Sequence, residues 1–141
     1  GYISKVEFLK IPLLSNWMKN LHCLFLDRSD LKAGMKTILA AIEEIKNGVS
    51  ICIFPEGTRS KMGNEMLEFK GGSFKAATKA KCPIVPVALK NCFVPFDSNT
   101  VRPVTVEVHF LDPIPYEEYQ GMKTTEIAEM VKKRIEAVVT A

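Results

Sequence analysis

The segment Phe-Pro-Glu-Gly-Thr-Arg-Ser at positions 54–60 combines residue types that suit phosphate binding. Gly57 lets the backbone bring its N–H groups close to a ligand, and Thr58 and Ser60 add hydroxyl groups. Arg59 offers a planar guanidinium whose geometry matches phosphate oxygens. The segment ends an apolar run, and ligand crevices of open α/β sheets form where strands end. The sequence therefore predicts a phosphate cradle.

The same residues could instead form a solvated turn in which Glu56 and Arg59 make a surface ion pair. Two further basic residues favour the phosphate site. Arg28 ends an earlier apolar run, and Lys70 stands just before a predicted helix start. A helix start favours bound anions, so we expect both side chains to converge on the same phosphate unless the fold separates them.

The elements that must position these residues alternate between strands and helices. Short apolar runs bounded by turn residues predict strands, and apolar residues at helical spacing predict helices. Ser29 or Asp30 is suited to cap the second helix, and Gly48 to end it. The predicted order is helix 11–21, strand 24–26, helix 29–48, strand 49–54, helix 73–81, strand 84–89, strand 104–110 and helix 124–139. This order predicts an α/β fold of layers.

The late strand 104–110 alternates between valine or Phe110 and the more polar Thr105, Glu107 and His109. Alternation of this kind predicts one buried face and one wetter face, with the polar residues on the wetter face. A histidine in that position is more often structural or exposed than catalytic. We therefore predict no catalytic role for His109.

Composition narrows the function classes. The chain has 141 residues, 47% of them hydrophobic, which fits one globular domain, and its net charge of +3 is too small for a dedicated nucleic-acid binder. Its four cysteines lack paired metal-ligand spacing, so we predict reduced thiols and no metal site. No apolar stretch approaches the roughly 20 residues that span a bilayer.

Four blocks resemble the 1-acylglycerol-3-phosphate acyltransferases, members of the glycerolipid acyltransferase superfamily. Residues 54–60 match the most diagnostic block of that family, and residues 24–28, LFLDR, resemble the block that ends in a substrate-contacting Arg. Residues 69–74, FKGGSF, resemble its Phe-Lys-x-Gly element, and residues 82–89, CPIVPVAL, its Val-Pro-Val block. The chain is identified as a member of this family on these blocks together.

The resemblance implies a fold and a binding site. The fold would be a layered mixed sheet flanked by helices, with residues 1–141 as the C-terminal portion of a single acyltransferase domain. The residues implied for the acceptor phosphate are Arg28, Glu56, Gly57, Thr58, Arg59 and Lys70. The residues implied for the acyl side or the core are Ile84, Val85, Pro86 and Val87.

The resemblance also implies a reaction. The family moves an acyl group from acyl-CoA or acyl-carrier protein to the free hydroxyl of 1-acylglycerol-3-phosphate, giving phosphatidic acid in phospholipid biosynthesis. A His acts as general base and an Asp five positions later orients it; the donor is a co-substrate and no cofactor is implied. That motif precedes the family's LFLDR-like block, so we expect Gly1 to follow it and the chain alone to be inactive.

One pair of residues imitates the catalytic motif. His22 and Asp27 have the His-x4-Asp spacing, but the family's Asn does not precede His22. Leu24 to Leu26 already form the strand before Arg28, and Asp27 fits the Asp of the family's Asp-Arg pair. We therefore interpret the spacing as a coincidence and assign no catalytic residue to this chain.

The N-terminal segment has a composition that suits a membrane surface. Lys5, Lys10 and Lys19 alternate there with large apolar residues. Packing under the sheet explains the same apolar residues equally well, so both interpretations stay open. With a lipid substrate, we expect a protein at the cytoplasmic face of the membrane, peripheral or anchored. Two other functions stay open: a noncatalytic module that binds phospholipid headgroups, and an acyltransferase for another lysophospholipid.

Overall fold

The computed structural model describes residues 1–27, 30–97 and 103–140. The chain forms two structural units, each built from two stretches of sequence. Unit 1 contains Gly1–Phe54 and Lys75–Cys82, and unit 2 contains Pro55–Phe74 and Pro83–Ala141. The single domain over 1–141 stays a prediction.

In unit 1, a two-stranded parallel sheet packs against a long helix. Strand β1 pairs with β2 so that Ile3 lies opposite Leu24 and Lys5 opposite Leu26. Helix α2 packs on β2 and on α3, and Ala41 and Ala76 are buried in the unit. The elements are β1 (Ile3–Lys5), a 3-10 helix (Val6–Lys10), α1 (Leu14–Asn20), β2 (Leu24–Leu26), α2 (Leu31–Lys46) and α3 (Lys75–Ala80).

Helix α2 confirms the sequence prediction at both ends. The carboxylate of Asp30 accepts a hydrogen bond of 2.8 Å from the Lys32 N–H, which caps the first turn. Gly48 has φ of +86° and donates to the Ile45 carbonyl, while the Val49 N–H donates to the Glu44 carbonyl. This pair of bonds is a Schellman ending, which requires the left-handed conformation that glycine adopts easily. Ser29, the other predicted cap, lies outside the described residues.

A buried hydroxyl fixes α2 to the sheet. The Thr37 Oγ1 donates to the Phe25 carbonyl at 3.0 Å and lies 3.1 Å from the Ala33 carbonyl on its own helix. Because Thr37 is buried, these acceptors replace the water that its hydroxyl loses. The bond sets the position of α2 on β2.

The predicted strand over 49–54 is wrong as a regular strand. Its pairing is a single bridge: the Cys52 N–H donates to the Gly1 carbonyl at 2.8 Å, and the Ile3 N–H donates to the Cys52 carbonyl at 3.1 Å. In this parallel register Ile53 and Phe54 would lie beside Ile3 and Ser4, which are extended in β1, yet the described residues of this segment form no second bridge there.

In unit 2, an antiparallel strand pair packs on the C-terminal helix. Strand β3 pairs with β4 so that Ala88 lies opposite His109. Helix α6 covers β3, and its buried Ile127 and Val131 form a core with Ala88 and Ile114. The elements are a 3-10 helix (Gly71–Phe74), β3 (Val87–Lys90), α4 (Val94–Asp97), β4 (Glu107–Phe110), α5 (Tyr116–Tyr119) and α6 (Thr124–Val139).

Two predicted boundaries near the site are wrong. The strand predicted over 84–89 is divided into an isolated bridge between Ile84 and Ile114 and the strand β3. Pro86 lies between them and has no N–H for a ladder, although its carbonyl accepts from Leu111 at 3.0 Å. The helix predicted from Ser73 begins two residues earlier, as the 3-10 helix, and continues as α3.

The predicted faces of the late strand are also wrong. Val108 is 52% exposed and Phe110 is 76% exposed, whereas Glu107 and His109 are half-buried. The polar face is the less exposed one, since His109 lies opposite Ala88, which is fully buried in the core that α6 forms. His109 Nε2 lies 2.9 Å from Glu107 Oε2, so these two polar residues are partners of each other. The strand itself is shorter than predicted and begins at Glu107.

Candidate functional site

The predicted phosphate segment begins a loop of unit 2 that is closed at its base. The Lys70 N–H donates to the Pro55 carbonyl at 2.9 Å, which joins the first and last residues of the loop. Next to this bond, the Glu56 Oε2 accepts from the Leu67 N–H at 2.8 Å. The two limbs of the loop are therefore held side by side.

Glu56 supports the loop. Its carboxylate binds a backbone N–H that is partly buried, and an N–H left without a partner there would cost free energy. A carboxylate at the same place repels a nearby phosphate, since the two charges have the same sign. In the structure, Glu56 supports the loop by accepting this backbone hydrogen bond. Its predicted contact with the acceptor stays a prediction.

Gly57 and Lys70 lie against each other across the loop. Gly57 has φ of +73°, and a Cβ added there would lie 3.1 Å from the Lys70 Nζ and 3.4 Å from its Cδ and Cε. The ammonium group therefore lies over the one residue of the segment that has no side chain. A ligand that approaches the Gly57 backbone meets a positive charge at the same place.

Thr58 and Arg59 follow Gly57 on the exposed side of the loop. Ser60 is half-buried, and its Oγ accepts from the Met62 N–H at 3.2 Å, which forms a local turn. The structure thus brings together four of the predicted residues, Gly57, Thr58, Arg59 and Lys70, within one loop. Arg28 lies outside the described residues.

A pair of asparagines holds the tip of the loop. The Asn91 N–H donates to the Asn64 Oδ1 at 2.8 Å, and the Asn64 Nδ2 donates to the Asn91 Oδ1 at 3.1 Å. Gly63 has φ of +65° and lies against the Phe93 ring. Sequence reasoning missed this contact because the two asparagines are far apart in the chain and neither belongs to a motif.

The last limb of the loop is also bonded to α6. The Lys132 Nζ lies 2.8 Å from the Glu68 Oε1 and 3.6 Å from the Glu136 Oε1. The hydrogen bond to Glu68 is the main reason that the pKa of Lys132 is raised above its ordinary value, and both carboxylates stabilise the ammonium form. Phe69 and Met66 pack against the core that α6 forms.

The Ile84–Val87 segment divides between core and surface. Pro86 is fully buried and Ile84 packs against the core of unit 2, whereas Val85 is exposed. From the sequence, this segment was expected either to lie on the acyl side of the site or to belong to the core. Pro86 and Ile84 are core residues, and an acyl contact of Val85 or Val87 stays a prediction.

His22 and Asp27 leave opposite ends of strand β2. The His22 Nδ1 lies 2.9 Å from the Glu44 Oε2 on α2, and more than half of its side chain is exposed. Strand residues advance the chain by about 3.3 Å each, so β2 moves Asp27 away from this histidine. His22 therefore forms a surface pair with Glu44. That this chain contains no catalytic residue stays a prediction.

Metal binding and thiol chemistry have little support in the described part of the chain. No group of three or more His, Cys, Asp or Glu side chains there is placed to hold a metal ion. The four cysteines are free thiols, and burial raises the pKa of Cys82, which keeps its thiol protonated at neutral pH.

Comparison with known proteins identifies the family. Residues 2–90 match the family model named Acyltransferase, and this range contains the whole loop with both Gly57 and Lys70. The chain belongs to the acyltransferase family. The prediction of an α/β fold with sheets flanked by helices is confirmed, because the fold is also that of a solved acyltransferase; the described strands form two small sheets, one parallel and one antiparallel. That structure is the 1-acyl-sn-glycerophosphate (LPA) acyltransferase PlsC from Thermotoga maritima, with a TM-score of 0.81 and 28% identity.

Curated relatives of this acyltransferase-family chain carry related names. The 1-acyl-sn-glycerol-3-phosphate acyltransferase of Cocos nucifera is 33% identical over 132 residues, which are 92% of this chain and 42% of the relative. The protein of the same name from Salmonella typhimurium is 34% identical over 127 residues, 89% of this chain and 51% of the relative. The Thermotoga match covers 99% of this chain and 55% of that one. This chain spans about half the length of these relatives.

The brace formed by Glu56 gives a testable prediction. Replacing Glu56→Ala should lower the free energy of unfolding by about 1–2 kcal/mol, because the Leu67 N–H loses its acceptor. Glu56→Gln keeps an acceptor oxygen and should cost less than half as much. Denaturant unfolding and the hydrogen-exchange rate of the Leu67 amide measure both effects. Equal losses in the two variants would show that the negative charge, and not the hydrogen bond, matters.

Proposed function

We propose that this chain provides the acceptor-phosphate site of an acyltransferase that acylates the free hydroxyl of 1-acylglycerol-3-phosphate and gives phosphatidic acid. The observation that carries the proposal is the Lys70 ammonium over Gly57, in a loop whose sequence is FPEGTRS. The names of the relatives from Cocos nucifera and Salmonella typhimurium support the choice of acceptor.

The loop has the properties that a phosphate monoester requires. Such a ligand carries close to two negative charges at neutral pH and several acceptor oxygens, so it needs cations and N–H donors that are already in place. Gly57 has no side chain, the Lys70 ammonium lies beside it, and Arg59 follows two residues later on the exposed side of the loop. The base of the loop is closed by two hydrogen bonds, so ordering it on binding costs little conformational entropy.

We assign acceptor binding to this loop and proton transfer to none of the described residues. His22 forms its surface pair with Glu44, and His109 forms its pair with Glu107. In the proposed reaction a His general base takes the proton of the acceptor hydroxyl, whose oxygen bonds to the acyl carbon of acyl-CoA or acyl-carrier protein. The C–S bond of the thioester breaks, and the leaving thiolate receives the proton from the His and departs as a free thiol. The thioester supplies the acyl group, so the reaction needs a co-substrate and no metal or redox cofactor.

A phosphate site of this kind reads the phosphate and not the group attached to it. Another lysophospholipid acceptor is therefore the nearest alternative within the enzymes. A noncatalytic module that binds phospholipid headgroups would use the same loop, without turnover. Acceptor competition and turnover distinguish these alternatives from the proposal.

The proposal predicts a selective loss in Lys70→Met. In the protein expressed from its complete reading frame, this variant should raise the KM for 1-acylglycerol-3-phosphate by about tenfold or more, because a charge-assisted contact is lost. The KM for the acyl donor should stay the same. Thiol release from acyl-CoA measures both constants, and acyl-carrier protein substitutes for CoA in a parallel series.

Lys79→Met, on α3, is the matched control and should keep the wild-type KM for the acceptor. An unchanged acceptor KM in Lys70→Met would contradict the assignment of the loop. Tight acceptor binding without any thiol release in the wild-type protein would favour the noncatalytic module.

We further propose that unit 1 lies on a membrane surface through its N-terminal segment. Leu13 is 79% exposed and Trp17 is 73% exposed, and a group of large apolar side chains in water marks a binding surface. We call this group the apolar patch; its members are Phe8, Leu9, Ile11, Leu13, Leu14, Trp17 and Leu21. No helix in the described ranges is long and apolar enough to cross a bilayer.

The charges beside the apolar patch favour a membrane as the partner. Lys5, Lys10 and Lys19 are all exposed within or next to it. A tryptophan with lysines around it suits the headgroup region, where the ring meets the acyl boundary and the ammonium groups meet anionic lipid. The acceptor is a lipid in the proposed reaction, so attachment to a membrane surface brings the protein to its substrate.

The membrane proposal predicts a loss of vesicle binding in Trp17→Ser. The variant should partition about tenfold more weakly into phosphatidylcholine vesicles that contain phosphatidylglycerol, because a large apolar side chain no longer enters the lipid. Sedimentation with the vesicles measures the partition. Leu39→Ser, at a leucine of α2 that is 62% exposed and lies outside the apolar patch, is the control. Equal losses in the two variants, or none in Trp17→Ser, would exclude the apolar patch as the membrane surface.

A further inference from the structure

Helix α6 touches the phosphate loop although it lies outside the residues 2–90 that match the family model. The contact is at Gly71, the residue after Lys70. A Cβ added to Gly71 would lie 3.1 Å from the Thr124 carbonyl carbon, the Thr124 Oγ1 and the Thr125 nitrogen. Two of these atoms are backbone atoms in the first turn of α6, which cannot rotate away. A side chain at position 71 therefore requires the backbone of residues 70–72 and the first turn of α6 to move apart by a few tenths of an ångström.

The neighbouring Gly72 has no such constraint. A Cβ added there would meet no atom within 4 Å. Neither glycine has a positive φ, so space and not backbone conformation distinguishes the two positions. In the Phe-Lys-x-Gly element that residues 69–72 resemble, Gly71 occupies the variable position. The geometry, and not the motif, thus singles out Gly71.

A second contact fixes the other side of Lys70. The Lys132 Nζ, on the third turn of α6, bonds the Glu68 Oε1 at 2.8 Å. Phe69 packs on the core that α6 forms with β3. Residues 68, 69 and 71 therefore all contact α6 or its core, while the Lys70 side chain lies on Gly57. The residues before and after Lys70 in the chain are therefore both held by α6 or its core.

We propose that α6 is the positioning element of the phosphate site, holding Lys70 over Gly57 through the close contact at Gly71 and the Lys132–Glu68 bond. The inference rests on the proposed function, because it concerns the affinity of that site for a phosphate monoester. Gly71 and Lys132 are positioning residues: they act on the ligand through Lys70 and do not touch it.

The test follows the Lys70 amine directly in the protein expressed from its complete reading frame. Glycerol 3-phosphate is the probe, and the protection of Lys70 against an amine-acylating reagent is measured by mass spectrometry as the probe concentration rises. Gly71→Ala should need about tenfold or more probe for the same protection, since a displaced ammonium loses its charge-assisted contact. Gly72→Ala should behave like the wild type. In kinetic assays, Gly71→Ala should raise the acceptor KM and leave kcat unchanged.

The outcomes separate the two proposals. If glycerol 3-phosphate does not protect Lys70 in the wild-type protein, the proposed phosphate site itself is contradicted. Wild-type protection that a folded Gly71→Ala retains in full would overturn the positioning role. If circular dichroism shows that Gly71→Ala is unfolded, Lys132→Met decides: it keeps the aliphatic stem and removes the bond to Glu68. This variant should need about two- to fivefold more probe, as expected for one exposed ion pair, and unchanged protection overturns the inference.

Discussion

The hydrogen bond from the Lys70 N–H to the Pro55 carbonyl closes the phosphate loop, and the position of the Lys70 ammonium depends on that closure. The loop contains two glycines, Gly57 and Gly63, and many polar residues, which would otherwise leave its conformation open. The Glu56 carboxylate strengthens the closure by accepting the Leu67 N–H. The Glu56 carboxylate in the phosphate loop is thus explained by the backbone N–H that it accepts.

The elements with strong local signals could be predicted from the sequence. Helix α2 has an acidic cap at Asp30, a regular apolar spacing and a glycine just beyond its end, and these features fix its bounds without help from the rest of the chain. Strand β2 was predicted at the residues where it occurs, because its apolar run is short and bounded. The acyltransferase-like fold class followed from the motif blocks and is confirmed by the Thermotoga structure.

The errors concern features that depend on distant residues. The run 49–54 has the composition of a strand, but it pairs with the distant N-terminal residues through one bridge, at Cys52. The polar face of β4 is the less exposed one because it lies on the side of the sheet where Ala88 packs into the core with α6, and alternation alone does not indicate that side. In the site, Gly57 and Lys70 were found by residue type and order. The Asn64–Asn91 pair and the Gly71 contact with α6 were not, since each joins segments that no motif connects.

The central claim is that a phosphate monoester binds at Gly57 under the Lys70 ammonium. A titration of glycerol 3-phosphate into ¹⁵N-labelled protein, followed by backbone amide shifts, tests it most directly. The account predicts saturable shifts of the Gly57 and Thr58 amides, with a smaller response at Lys70 because its N–H stays bonded to Pro55. Saturable shifts confined to residues outside the loop 55–70, or no shifts at all, would contradict it.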